Sequence, residues 1–157
     1  MPPQYLYDIS GIDFDQVMFD QQVVRDMNPQ RGDMEQLNGI TWCNADHGRI
    51  IGFKDIRDDE FWVPGHIPGR PLYPGVLMIE AGAQLASFYT RRFMGWSGFI
   101  GFGGVDEVKF RLPVSPNCRM HLLALKVWDR HRRVNCKVQG LVKGQICFEA
   151  SITGTQF

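Results

Sequence analysis

No run in this 157-residue chain approaches the eighteen consecutive apolar residues that a membrane-spanning helix requires. The N-terminus, MPPQYLYDISGIDFDQ, lacks a basic stretch followed by an apolar one, so a secretory signal is not expected. Cysteine is scarce. Cys43, Cys118, Cys136 and Cys147 lie far apart, with no Cys-x-x-Cys pair, and are expected to be buried thiols in a reducing compartment, with the cytoplasm as the expected setting. His47, His66, His121 and His131 show no metal-ligand spacing with one another or with the cysteines, which argues against a structural metal. The run Gly101-Phe102-Gly103-Gly104 lacks the G-x-G-x-x-G spacing of a dinucleotide site and precedes strand-like sequence. It reads as a bulge or a close backbone approach.

Net charge is missing as well, since seventeen Lys and Arg balance seventeen Asp and Glu. That zero is a cancellation along the chain. Residues 1–60 carry twelve acids and five bases, whereas residues 109–143 carry nine bases and one acid, Asp129. Lys109, Arg111, Lys126, Arg130, Arg132 and Arg133 occupy strand or turn positions expected to be exposed. Two uses of such a stretch are open: a solvated face paired with the acidic part of the same or a neighbouring subunit, or a docking surface for an anionic partner. Nucleic acid is not expected, because no recognition motif accompanies the charge.

What is present begins with an ordinary globular composition, 44% apolar and 22% charged, which suits one domain. Residues 1–37 are acidic and mixed in pattern, with a weakly periodic helix possible over residues 14–27. Ile40-Thr41-Trp42-Cys43, a turn-rich Asn44-Ala45-Asp46-His47-Gly48, and Arg49 to Lys54 read as a β-hairpin. Between Pro64 and Gly75 stand four prolines and three glycines, which exclude regular structure and specify a constrained loop. Pro74 suits the start of a helix. Residues 76–93 then predict one about 27 Å long, apolar nearly all round and therefore buried, with small residues that admit close backbone approach. Beyond it, alternation around Val108, Leu123, Val134 and Ile146 predicts four strands, each with one buried face, and Lys143-Gly144-Gln145 a hairpin turn. The class is α+β: a curved antiparallel sheet around one long central helix.

Glu80 lies within the apolar run Val76-Leu77-Met78-Ile79-Glu80-Ala81-Gly82-Ala83. A carboxylate there either carries chemistry or sits at a boundary satisfied by solvent or an arginine. Gln84, one turn on, is placed to hydrogen-bond and orient it. His66 is flanked by Pro64-Gly65 and Ile67-Pro68-Gly69, so a rigid loop presents one imidazole, either as a base or as a turn hydrogen bond. Together the two suggest an acid–base pair. The free N–H groups of Gly75 and Val76 at the helix N-terminus offer an oxyanion site.

The segment Gly65-His66-Ile67-Pro68-Gly69-Arg70-Pro71-Leu72-Tyr73-Pro74-Gly75-Val76-Leu77, followed by Glu80-Ala81 and Ala83-Gln84, closely resembles the signature of the β-hydroxyacyl-acyl carrier protein dehydratases, the FabZ/FabA family. Gly104-Val105-Asp106-Glu107-Val108-Lys109-Phe110-Arg111 is similar to that family too, as is Pro29-Gln30-Arg31, where Pro-His-Arg is usual. The resemblance spans roughly residues 28–154. It implies a hot-dog fold in one domain over residues 28–157. Residues 1–27 have no counterpart in a compact family member and are expected to be an N-terminal extension that packs on the dimer surface or caps the acyl tunnel. The resemblance further implies a homodimer with shared active sites, possible assembly as a trimer of dimers, no metal and no cofactor. In that family's terms His66 would take the C2 proton of a 3-hydroxyacyl thioester, the partner's Glu80 would protonate the departing hydroxyl, and Gly75 would bind the thioester carbonyl. Glutamate rather than aspartate at position 80 favours the FabZ branch, dehydration without isomerisation. The partner would be an acyl carrier protein, acidic as the resemblance implies, docking on the basic stretch. The chain departs from the pattern at Ile67, where phenylalanine is usual. It departs again at Met34-Glu35-Gln36-Leu37-Asn38, which is polar where an apolar strand is usual. A hot-dog thioesterase, an enoyl-CoA hydratase and a non-catalytic acyl-binding subunit are the competing readings.

Overall fold

The computed structural model describes residues 3–157. Two helices and six strands follow in the order α1 (Gln21–Met27), β1 (Gly39–Asn44), β2 (Arg49–Ile56), α2 (Gly75–Phe93), β3 (Ile100–Phe110), β4 (Cys118–Arg130), β5 (Arg133–Val142) and β6 (Gln145–Gln156). The strands form a single sheet in the order β1-β2-β4-β5-β6-β3, antiparallel throughout. Helix α2 lies on its inner face, and this curved sheet around one helix is the hot-dog fold.

Helix α2 starts where Pro74 stops the loop and ends where Gly95 turns left-handed (φ 72°), which lets Trp96 N–H return to Thr90 O at 3.1 Å. Arg91 and Arg92 in its last turn complement the helix dipole. Met78, Ala81, Leu85 and Phe88 pack into the main core with Ile50, Leu122, Val138 and Ile152. Gly82 is required for that approach, because a Cβ there would meet Val138 Cγ2 at 2.9 Å. The small residues of the helix thus set how near it lies to β5.

One buried face per strand was the expectation, and the sheet corrects it. Ile50, Leu122 and Ala124 face the helix, while their neighbours Ile51 and Leu123 are equally buried on the other side. The cover on that outer face is the chain's own N-terminus. Tyr7 packs there with Ile51, Leu123, Leu141 and Ile146, flanked by Leu6, Ile9, Ile12 and Phe14. The Tyr7 hydroxyl donates to Ile50 O at 2.8 Å, and Gln139 clasps the segment by accepting from Leu6 N–H and donating to Gln4 O. The early residues therefore lie on the outer face of their own sheet. Helix α1 is shorter than the expected residues 14–27, because Asp20 caps it, accepting from Val23 N–H, and an extended stretch precedes it.

The second correction concerns β3. It begins at Ile100 rather than near Val108, and its register slips between Phe102 and Gly104. The glycine run is a bulge with close approach, since a Cβ on Gly103 would sit 2.6 Å from Thr155 Oγ1. Its apolar side chains are only partly covered: Val105 and Val108 pack against the core, whereas Phe102, Phe110 and the following Leu112 are exposed. β3 is an edge strand with a partly uncovered apolar face.

Because Tyr7 fills the outer cover with a buried ring and a buried hydrogen bond, Tyr7→Ala is expected to lower unfolding stability by about 3–5 kcal/mol in urea titration. A loss below about 1 kcal/mol would mean that the strap rests on the sheet without supporting it.

Candidate active site

The loop before α2 is held by main-chain bonds at both ends. His66 N–H donates to Trp62 O at 2.8 Å, Leu72 N–H donates to His66 O at 2.9 Å, and Tyr73 N–H donates to Val114 O at 2.8 Å. The Trp62 and Tyr73 rings pack beneath it, 5.5 Å between centroids. On that scaffold the His66 ring is exposed, and its Nδ1 lies 2.9 Å from Leu72 O. A carbonyl only accepts, so Nδ1 carries a proton, and in the neutral tautomer this leaves the lone pair at Nε2. His66 opens on a cavity of about 460 Å³ shared with Gly75, Val76, Phe110 and Arg111. The first-turn N–H groups of Gly75 and Val76 have no intrahelical acceptor and carry the positive end of the helix dipole. Gly75 also admits the Phe110 ring, which a Cβ would meet at 2.7 Å.

Glu80 lines a different cavity, about 260 Å³, with Gln30, Ala83, Gln84, Ser87 and Phe102 among its walls. Gln84 Nε2 donates to Glu80 Oε1 at 2.8 Å and to Met34 O at 2.7 Å, while its Oε1 accepts from Gln36 N–H at 2.9 Å. A backbone N–H can bond only the oxygen of the amide, so the Gln84 side chain has one orientation, with both N–H groups outward. That leaves Glu80 Oε2 without a hydrogen-bond partner among the described residues. Asn28 Nδ2 donates to Gln84 O at 2.9 Å, and Arg31 donates to Asn28 O, Gln30 O and Arg25 O, which ties the Pro29-Gln30-Arg31 turn to the same helix.

The structure therefore groups the expected residues in two sets, His66 with Gly75 and Val76, and Glu80 with Gln84. Glu80 and His66 line separate cavities within one chain. The six cations divide as well, contrary to a single patch. Lys109 pairs in register with Glu149, and Arg111 bonds Glu149 Oε2 at 2.6 Å beside the His66 cavity. Burial opposes ionisation of Glu149, but hydrogen bonds from Gln139 and Arg111 outweigh it and hold that carboxyl below its ordinary range. Arg130, Arg132 and Arg133 sit at the β4–β5 turn, where Arg133 pairs with Thr155, six residues along β6 and so about 20 Å away. Lys126, near that turn, is paired with Asp129 at 2.8 Å.

With this geometry in view, a family model described as a FabA-like domain matches residues 28–151. The chain belongs to the FabA-like family. Among curated relatives of this FabA-like chain is a 3-hydroxyacyl-[acyl-carrier-protein] dehydratase FabZ of Desulfotalea psychrophila, 30% identical over 82% of this chain and 87% of that protein. FabZ of Aromatoleum aromaticum is 35% identical over 67% of this chain and 75% of its own length. Solved structures similar in fold include the dehydratase heterocomplex ApeI:P of Xenorhabdus doucetiae (TM-score 0.71, 13% identity, covering 85% of this chain and 90% of that one). Another is a sigma28-regulated virulence protein of Campylobacter jejuni (TM-score 0.69, 15% identity, 93% and 96%).

Three contributors in this FabA-like site escaped the sequence reading. Leu72 acts through its carbonyl, for which a sequence has no signal. Gln36 and Tyr73 lie on segments 37 residues apart, and their side chains bond at 2.7 Å. The polar run 34–38 was the available sign, since Met34 and Gln36 within it bond Gln84 and the run forms no strand. Gln84→Leu is expected to leave Gln36 N–H buried without a partner and Met34 O without its donor, lowering stability by about 1–3 kcal/mol in chemical denaturation. A change within about 0.5 kcal/mol would show that these groups find other partners.

Proposed function

We propose that the chain is a lyase that dehydrates (3R)-hydroxyacyl thioesters of acyl carrier protein to trans-2-enoyl thioesters. The observation that carries this reading is an imidazole with a free Nε2 and a carboxyl with a free Oε2, each held by the FabA-like signature. In the reaction His66 Nε2 takes the C2 proton, and the C2–H electron pair becomes the C2–C3 double bond. The C3–O bond breaks, and the hydroxyl takes the proton of Glu80 to leave as water. The thioester carbonyl accepts from Gly75 N–H, with Val76 N–H beside it, where the helix dipole offsets the developing negative charge. Afterwards the proton on His66 is exchanged back to Glu80 through solvent. Base and acid together fit elimination better than thioester hydrolysis, which needs an activated water. A carrier-protein thioester is preferred to a CoA ester because curated relatives bear that substrate in their names.

The same reading makes the chain a homodimer whose sites are completed across subunits, His66 of one meeting Glu80 of the other. Support comes from the two separate cavities and from the apolar surface between them. Val76 is 73% exposed, Phe110 54% and Phe102 52%, all on or beside the open edge strand. An exposed apolar edge of that kind is normally covered by a partner. An acidic carrier protein has two candidate footholds, Lys109 with Arg111 beside the His66 cavity, or the turn bearing Arg130, Arg132 and Arg133 near Lys126. The first adjoins the loop that would receive the thioester and is favoured.

The test is an assay of the purified protein with a short (3R)-hydroxyacyl carrier-protein thioester. Enoyl formation is expected, with His66→Ala and Glu80→Gln each lowering kcat at least about 100-fold. Free thiol release in place of enoyl product would assign a thioesterase, and full activity in both variants would remove the proposed acid–base pair.

A further inference from the structure

Gln36 is 1% exposed at a position where the family resemblance leads one to expect an apolar side chain. A buried amide is costly unless its polar atoms are bonded, and here each is. Its Oε1 accepts from the Tyr73 hydroxyl at 2.7 Å, and its Nε2 donates to Asp33 O at 2.9 Å. Tyr73 is itself 2% exposed, and its hydroxyl lies 3.2 Å from Leu77 O in the first turns of α2. A complete hydrogen-bonded path therefore runs Tyr73–Gln36–Gln84–Glu80, with every distance between 2.7 and 2.9 Å.

The segment this path crosses is anchored on either side of Gln36, at Glu35 by its pairing with Arg25 and at Leu37 and Asn38 by core burial and a bond to Phe53 O, and Gln36 is the residue that joins it to Tyr73 and Gln84. Residues 32–34 form a single 3-10 turn, and residues 35–38 belong to no strand. This segment supplies both backbone groups that orient Gln84, the Met34 carbonyl and the Gln36 N–H. A small shift there would free the Gln84 amide to turn its oxygen toward Glu80, placing a lone pair against a carboxylate and moving the proton-bearing oxygen out of line.

The geometry points to Gln36 and Tyr73 as positioning residues for the dehydration step: their buried hydrogen bond fixes the segment 33–36, which fixes Gln84, which presents Glu80 Oε2 to the leaving hydroxyl. Neither touches substrate. This rests on the proposed dehydratase reading and assigns two further residues to its acid. Tyr73 also follows Leu72, whose carbonyl orients His66, so one short stretch braces the base of one cavity and the acid of the other.

Tyr73→Phe keeps the buried ring and removes only the hydroxyl, and Gln36→Leu restores an apolar side chain of similar size. On the (3R)-hydroxyacyl carrier-protein substrate, each is expected to lower kcat about tenfold with KM held within twofold, a fraction of what a general acid contributes. The Tyr73→Phe/Gln36→Leu double variant should lose clearly less than the product of the two single losses, because both remove the shared Tyr73–Gln36 bond while each also removes one bond of its own, to Leu77 O or Asp33 O. In a Glu80→Gln background the Tyr73→Phe step should have no further effect on the residual rate, whereas a role in general stability would still add its loss. Thermal unfolding is recorded alongside, and Tyr73→Phe alone decides the matter if Gln36→Leu fails to fold. Unchanged kcat in a fully active wild-type background, a loss confined to KM, or an undiminished Tyr73→Phe loss in the Glu80→Gln background overturns the inference and leaves the dehydratase reading standing. A wild-type chain that forms no enoyl product removes both.

Discussion

A helix turns about 100° per residue, and five residues separate Gly75 from Glu80 on α2. The two groups are therefore about 140° apart around the axis and open on different sides of the same element. This rotation governs the rest of the site. Gly75 shares the His66 cavity, and the Glu80 carboxyl lines another. Glu80 and Gln84, four residues apart, fall on one side and do meet. Everything else about the fold serves to hold this helix still, from Gly82 against Val138 to the turned end at Gly95.

The burial of α2 explains the outer layer as well. A sheet with one face on a helix leaves its other face wet or covered, and here residues 4–14 cover it. Two layers of apolar packing then sit on β2 and β4, which lets the sheet carry a loop as constrained as the one bearing His66. The open side is β3, where apolar side chains face outward next to both cavities.

Much of this was legible in the residues. Proline and glycine spacing marked the His66 loop, Pro74 its junction with the helix, and the i, i+4 relation the Glu80–Gln84 bond. Periodicity misjudged what depends on contacts between distant segments. Alternation at Leu123 cannot show that Tyr7 will bury its outer neighbours, and alternation at Phe110 cannot show that its apolar face stays open. The count of cations suggested one patch, but antiparallel pairing sends Arg133 and Lys109 to different ends of β6. The polar run 34–38 forms no strand, and its bonds go to several distant segments: Met34 and Gln36 to Gln84 and Tyr73, Glu35 to Arg25, and Asn38 to Gln21, Phe53 and Asp55, relations visible only once these are placed together.

The central claim is that acid and base meet between chains, and complementation between inactive variants tests it most directly. His66→Ala and Glu80→Gln chains carrying different tags are co-expressed, and the mixed dimer is isolated and assayed for enoyl formation. One of its two sites would contain an intact His66 from one chain and an intact Glu80 from the other, so about half the wild-type activity per dimer is predicted. A mixed dimer no more active than either parent would contradict the account.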